Sequence, residues 1–362
     1  MAREWIAARG TASVATRRLA RFVRRVRKDA PIADLGSGPG WYAEDMRGMG
    51  ISSVALDLTH EMLAEAGRRY ADLPRVRADL SALPFARRSL GGAWAINSFS
   101  HLPAAELPTA LAHVHHTLAV DAPLEFTLAD LEAIGSTAAE RRRGAAQRRF
   151  DDRRFPGRLF TAASGDHLRS LLQGAGFEQI RIDHPEERPF WHWVTARCAF
   201  TLPDFVGPDL DLLVCGLNPS LAAAETGIPF VGPSNRFWPA ARKAGLVERE
   251  RDPWHALRRG LGFTDLAKRA TRSASELRSQ EYATGLKRLE SLVRRQRPRA
   301  ICLVGLDGWR RAVDPKVAPG WLEHGLAGRP AYLMPSTSGR NTHADLAGLV
   351  RHLRRAARGP AG

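Results

Sequence analysis

Cysteine is scarce in this chain: three in 362 residues, at positions 198, 215 and 302, none within four residues of another. That spacing excludes zinc-ribbon and thioredoxin-like motifs, and an odd count makes no disulfide framework. No metal-ligand set is expected, and a reducing, cytoplasmic setting is. Long apolar runs are also absent. None approaches the roughly 18 residues a membrane-spanning helix needs, so no membrane partner is expected. Residues 1–30 are basic from the third position and lack an apolar stretch before a cleavage site, which argues against a secretory leader. Ile6, Val14, Leu19, Phe22, Val23 and Val26 instead give that segment the stripe of a first helix. Lysine is nearly missing, with five against 49 arginines. Genome base composition explains arginine in place of lysine, but not an excess of base over acid. No repeat of fixed period and no low-complexity tract is present beyond short arginine clusters.

What is present points to two domains and a polyanion. A chain of 362 residues exceeds one ordinary domain. The net charge is +16, of which residues 1–200 contribute +5 and residues 201–362 contribute +11. A surplus concentrated in the shorter part suits nucleic acid. Apolar runs alternate with helical stretches throughout, the mark of an α/β fold with parallel sheets. In the first part the predicted strands are 31–35, 53–58, 92–96, 123–127 and 177–183, with helices at 138–149 and 166–174. Residues 201–211 carry two prolines and read as a linker. Beyond it, strands at 212–216, 262–266, 300–305 and 331–334 are separated by helices at 239–244, 280–295 and 344–357. The expected domains are 1–200 and 201–362.

The first part carries Asp34-Leu-Gly-Ser-Gly-Pro-Gly40 between a strand and a helix. Glycines at 36, 38 and 40 let the backbone turn tightly against a ligand. The spacing is G-x-G-x-G, not the G-x-G-x-x-G of dinucleotide binding. Asp57, at the end of the next strand, suits a ribose diol, and Asp79 precedes a further strand. With this loop, Asp57, Asp79 and the segment 159–177, the chain resembles the class I S-adenosylmethionine-dependent methyltransferases over about residues 1–198. The resemblance implies a Rossmann-like sheet and S-adenosylmethionine as cofactor, with Asp34, Gly36, Gly38, Gly40, Asp57, Asp79 and Asn97 at its site. Asn97-Ser-Phe-Ser-His101 would face the methyl donor. The acceptor is unreadable, since neither an Asn/Asp-Pro-Pro-aromatic stretch nor a Pro-Cys pair occurs. His101, His115 and His116 are assigned structural or exposed roles.

The second part carries Val214-Cys-Gly-Leu-Asn-Pro-Ser220, Thr226-Gly-Ile-Pro-Phe230, Gly232-Pro-Ser-Asn-Arg-Phe-Trp238 and Met334-Pro-Ser-Thr-Ser-Gly-Arg340. Proline after Asn218 holds that residue extended. An amide has no useful basicity, but its carbonyl oxygen orients a water. Phe230 offers a flat face to a planar heterocycle. The serine-rich turn suits a phosphate, and Arg340 at its tip suits a base edge. Phe237 and Trp238 are assigned to the core, and His255 and His343 to structural or surface roles.

These four segments resemble the mismatch-specific uracil/thymine DNA glycosylases, over about residues 205–355. The resemblance implies an α/β/α domain with a short parallel sheet, acting in base-excision repair on double-stranded DNA with mismatched or deaminated bases. It implies Asn218 as the catalytic residue, with Leu217, Phe230, Ser336, Ser338, Gly339 and Arg340 binding substrate, and no cofactor. Ser220 departs from the glycine often found there, and Ser336–Arg340 is closer to the thymine-excising branch. A missing carboxylate predicts slow turnover. No lysine near Asn218 predicts a monofunctional enzyme. The rival reading is a methyltransferase whose C-terminal part only docks DNA.

Overall fold

The computed structural model describes residues 13–152, 155–186, 189–312, 316–342 and 344–360. Ile6 and His343 lie outside them. The chain divides into two compact units, one of residues 1–173 with 177–199, the other of 174–176 with 200–362.

The first unit is a nine-stranded sheet: β1 (Ile32–Leu35), β2 (Ser53–Asp57), β3 (Arg75–Arg77), β4 (Gly92–Ala95), β5 (Pro123–Asp130), β6 (Ala145–Asp152), β7 (Phe155–Ala163), β8 (Phe177–Asp183) and β9 (Trp191–Cys198). Their order is 3-2-1-4-5-7-6, with β9 antiparallel to both β5 and β8. Strands β3, β2, β1, β4 and β5 run parallel, so their carboxyl ends share one edge. β1 and β4 are buried at every residue, which is why they are apolar throughout except at Asp34. Leu19 and Phe22 of the helix Ser13–Val23 pack with Ile32, Met46, Trp94 and Trp193.

Two expectations fail in this unit. The basic stretch 138–149 is not one helix: Ala138–Arg143 is helical, Gly144 turns left-handed at φ 75°, and β6 begins at Ala145. Strands β3, β6, β7 and β9 escape the pattern. β3 is three residues long, and β6 is rich in alanine and arginine, residues of high helix propensity.

The second unit is a five-stranded sheet of β10 (Leu212–Gly216), β11 (Leu261–Asp265), β12 (Ala300–Val304), β13 (Gly320–Trp321) and β14 (Ala331–Met334), in the order 11-10-12-14-13. All pairings are parallel except that of β13 with β14. Side chains alternate between faces. Val214, Phe263 and Cys302 meet the helices Phe237–Ala244 and Leu346–Arg358, while Leu213, Cys215 and Ile301 meet Ser279–Gln296. Three layers result. The segment 201–211 is no solvated linker. Leu202, Phe205, Val206 and Leu210 are buried, and Phe205 bridges to Phe263. Among the described residues no helix is long and apolar enough to cross a membrane.

Candidate functional site

In the first unit the carboxyl ends of β1, β2 and β4 surround a cavity of about 580 Å³. Gly36, Gly38, Asp57, Asp79, Asn97, Ser98, His101 and Arg158 are among the residues lining it. Gly36 stands at φ 71°, and a Cβ there would lie 2.3 Å from the Cβ of Ser98. The Asp57 carboxylate accepts from the backbone N–H of Gly38 at 2.9 Å and of Thr59 at 2.8 Å, tying the glycine loop to β2. Asp79 accepts from Ser81 N–H and Oγ, each at 2.8 Å. Asn97 holds a left-handed φ of 57°, its N–H given to Thr127 Oγ1 at 2.8 Å. Ser98 Oγ is buried with no hydrogen-bond partner among the described residues.

Two predicted members are not on this wall. Asp34 is 1% exposed and accepts from Ala43 N–H at 3.2 Å, so it anchors the following helix rather than a ligand. Gly40 packs toward Leu73 and Ala66. Conversely, His101, assigned a structural role from the sequence, lines the cavity, its Nδ1 against Leu159 O at 3.0 Å and its Nε2 against Arg158. His115 is buried against Ala199 O.

One group among the described residues has metal-ligating atoms within reach: Asp130, His184 and His192. His184 Nε2 lies 3.1 Å from Asp130 Oδ2, and His192 Nε2 lies 3.3 Å from Oδ1 and 2.9 Å from Ala163 O. His184 N–H donates to the carboxylate, and His192 N–H donates to Ala163 O with Asp130 beside it. His192 Nδ1 is buried without a partner, so the ring lacks the outer hydrogen bond that metal-bound imidazoles make. We assign this group no metal.

In the second unit a cavity of about 360 Å³ opens beyond β10 and β11, lined by Asn218, Phe230, Asp265, Ser338, Gly339 and Arg340 among others. The Asn218 side-chain nitrogen donates to Thr271 Oγ1 at 2.7 Å and Arg269 O at 2.9 Å. Both donor positions are consumed, which leaves the amide oxygen for the cavity. Phe230 sits at φ 56°, a strained conformation for an aromatic residue, and one face stacks on Phe237 at 4.4 Å and 21°. Phe237 and Trp238 are core, at 0% and 1% exposed. Arg236, unassigned from the sequence, donates to Ser338 O at 3.1 Å and Asn341 O at 2.6 Å, stapling the Ser338–Asn341 turn.

The sequence reading missed Asp265. It ends β11, is 7% exposed, lines the cavity, and has no side-chain partner among the described residues. Burial drives its carboxyl up to about 6 against the opposing Lys268 ammonium, with Asp204 reinforcing the rise. Asp204 behaves oppositely: burial pushes it up, but Arg288 and Lys268 outweigh burial and hold it low. A signal was available, since Asp265 pairs in register with Gly216 at the same sheet edge as Asn218.

The Leu217 side chain packs on Gly308, outside the cavity lining, and its carbonyl accepts from Ala267 N–H; the contact expected of this residue is through its backbone amide. Ser336, expected at a backbone phosphate and not at the base, is outside the lining of this cavity, its Oγ accepting from Ser338 N–H at 3.3 Å. Lys268, next to Arg269 in sequence, is outside the cavity lining, its ammonium committed to Asp204 Oδ1 at 3.0 Å and Leu202 O.

Residues 203–356 match the family model described as the uracil DNA glycosylase superfamily, and residues 32–121 match a methyltransferase domain. The chain carries a domain of each family. Solved structures resemble the N-terminal half. An S-adenosylmethionine-dependent methyltransferase from Mesorhizobium loti is 20% identical, covers 49% of this chain and 96% of its own, with a TM-score of 0.42. The 1,6-didemethyltoxoflavin-N1-methyltransferase of Burkholderia thailandensis is 21% identical over 52% of this chain and 77% of its own, at 0.39. The glycopeptide N-methyltransferase MtfA is 20% identical over 50% and 86%, also at 0.39. In the methyltransferase domain the family match runs from β1 through the helix Leu107–Thr117 to the turn before β5, and so takes in Gly36, Asp57, Asp79 and Asn97. In the glycosylase-superfamily domain it spans every residue of the second cavity except Leu202.

Proposed function

We propose that the glycosylase-superfamily domain removes uracil, and thymine opposite guanine, from duplex DNA by hydrolysing the N-glycosidic bond. The observation that carries this is the fixed amide of Asn218. With its nitrogen spent on Thr271 and Arg269, its oxygen is the group left to hold a water in the cavity. Phe230, backed by Phe237, presents its other ring face to a flipped base. Asp265 and Phe230 converge on Gly216: a Cβ there would lie 2.5 Å from Asp265 Oδ1 and 3.3 Å from Phe230 Cζ. The acid thus lies at the ring's edge, where its carboxylate accepts a base N–H and its charge opposes the developing sugar cation. This revises the expectation of slow turnover, which assumed no carboxylate. Ser338, Gly339 and Arg340, on a turn stapled by Arg236, face the DNA backbone and the vacated stack. With Lys268 bound to Asp204, the reaction is monofunctional. The test is base release from G·U, G·T and A·U duplexes, read as strand breaks after alkali. Asn218→Ala should lower the rate about 100-fold or more, the scale of lost positioning, with DNA binding retained. An undiminished rate overturns the assignment.

The methyltransferase domain's cavity fits S-adenosylmethionine. Asp57 uses two acceptor positions on backbone N–H groups and keeps others for ribose hydroxyls. Asp79 takes the adenine side, and the unpartnered Ser98 Oγ offers a polar contact beside Gly36. When bound, that cofactor supplies an electrophilic methyl group. The chain's part is alignment of the acceptor, with His101 and Arg158 on the wall. Retention of labelled S-adenosylmethionine by the full chain, and its loss on Asp57→Ala, tests this.

A further inference from the structure

Residues 138–158 hold eight arginines against three acidic residues, a net of +5, equal to the net charge of the whole of residues 1–200. This is one of two basic runs in the first unit, the other being residues 17–28 with seven basic residues and no acid. The 138–158 segment is the helix Ala138–Arg143 and the two-stranded ribbon of β6 and β7. Arg141, Arg142 and Arg143 are exposed at the helix end, and Arg149 is exposed on β6. Within the same segment Glu140 pairs with Arg148, Nη2 to Oε2 at 2.9 Å.

The ribbon is also tied to the mouth of the first cavity. His101 Nδ1 meets Leu159 O at 3.0 Å, Thr161 Oγ1 donates to Leu102 O at 2.6 Å, and Ala104 N–H donates to Gln147 Oε1 at 3.1 Å. Arg158 reaches the cavity wall from β7 itself. A twisted two-stranded ribbon has the width to enter a nucleic-acid groove, and arginine is the side chain that pairs phosphate in two-pronged fashion.

We infer that this helix and ribbon form a nucleic-acid docking surface of the first unit, which brings a phosphate backbone to the mouth of the Gly36–Arg158 cavity. The surface stands apart from the methyl-donor reading: failure of cofactor binding leaves it intact. If that reading holds, the methyl acceptor is a nucleotide of the docked strand.

The test uses the full, tag-free chain and 20-mer duplex DNA, single-stranded DNA and RNA, with affinity measured across a salt series. Each lost phosphate contact removes about 0.9 from the log–log salt slope on duplex and about 0.7 on a single strand. The variant Arg142→Ala/Arg143→Ala/Arg149→Ala should lower the slope by about 2 to 3 on the nucleic acid that docks there. An unchanged slope on all three overturns the proposal. Photo-cross-linking of the unsubstituted protein to iodouracil oligonucleotides is independent of any folding defect. Cross-linked peptides from residues 138–163 support the surface, and cross-links confined to residues 201–362 overturn it.

Discussion

The two cavities are built from different materials. The first is a backbone site: Gly36 and Gly38 at positive φ, a non-glycine residue at Asn97 in the same region, and Asp57 spending its carboxylate on loop N–H groups. The second is a side-chain site, in which an amide and an aromatic ring are each fixed by a neighbour and a buried acid is left without a side-chain hydrogen-bond partner among the described residues. A backbone site fails when a Cβ is added, whereas a side-chain site fails when a functional group is removed. That contrast makes the two separable by substitution.

The largest effect is expected at Gly36→Ala. The added Cβ meets Ser98 at 2.3 Å and imposes a left-handed alanine. Strain and overpacking together should cost roughly 2–5 kcal/mol in denaturant unfolding and abolish S-adenosylmethionine binding. Gly48→Ala is the control, since nothing lies within 4 Å of its Cβ; it should be neutral or stabilise by up to about 1 kcal/mol. Equal costs at both positions would break the backbone-site account.

Asp57→Ala removes an acceptor shared by Gly38 and Thr59. Calorimetry should show S-adenosylmethionine affinity falling at least about 10-fold, the scale of one charged hydrogen bond. Wild-type affinity would remove Asp57 from the site.

Asp265→Asn sharpens the comparison through pH. The folded carboxyl titrates at about 6, above its usual 3.8. The protonated form is the one folding favours, so its contribution to stability is complete below about 4 and lost as pH rises through about 6. Asp265→Asn should therefore unfold later than wild type at pH 8 and show no such advantage at pH 4, with about 3 kcal/mol as the ceiling. Base release moves the other way: in the wild type it should climb as pH rises through about 6, and in the variant that climb should vanish. A pH–rate profile shared by both proteins would take the carboxylate out of the reaction.

The smallest effect is expected at Arg340→Ala. The residue is exposed at the cavity rim, so loss of about 1–3 kcal/mol in affinity for a G·U duplex is the scale for one arginine at a base edge. An affinity within twofold of wild type would leave the turn to Ser338 and Gly339.

What the sequence made legible follows the same division. The glycine loop was readable because only glycine takes those conformations cheaply, so the residue type announces the geometry. Asn218 was readable because Pro219 and the Phe230, Arg236 and Arg340 strings surround it in order. Asp34 was misplaced because it sits within the loop motif, yet its side chain turns to Ala43. Asp265 was missed because it lies 47 residues beyond Asn218 and is brought beside it only by the pairing of β10 with β11. Burial, which sets its ionisation, has no local signature. The β6–β7 ribbon was hidden for another reason: its alanines and arginines favour helix locally, and pairing with β5 overrides that preference.

The most direct measurement is single-turnover base release by the unsubstituted protein from a G·U duplex, read with and without alkali. A water held by Asn218 predicts abasic sites that break only after alkali treatment. Intact strands after alkali on G·U and G·T duplexes alike, or breaks without alkali through Lys268, would contradict it.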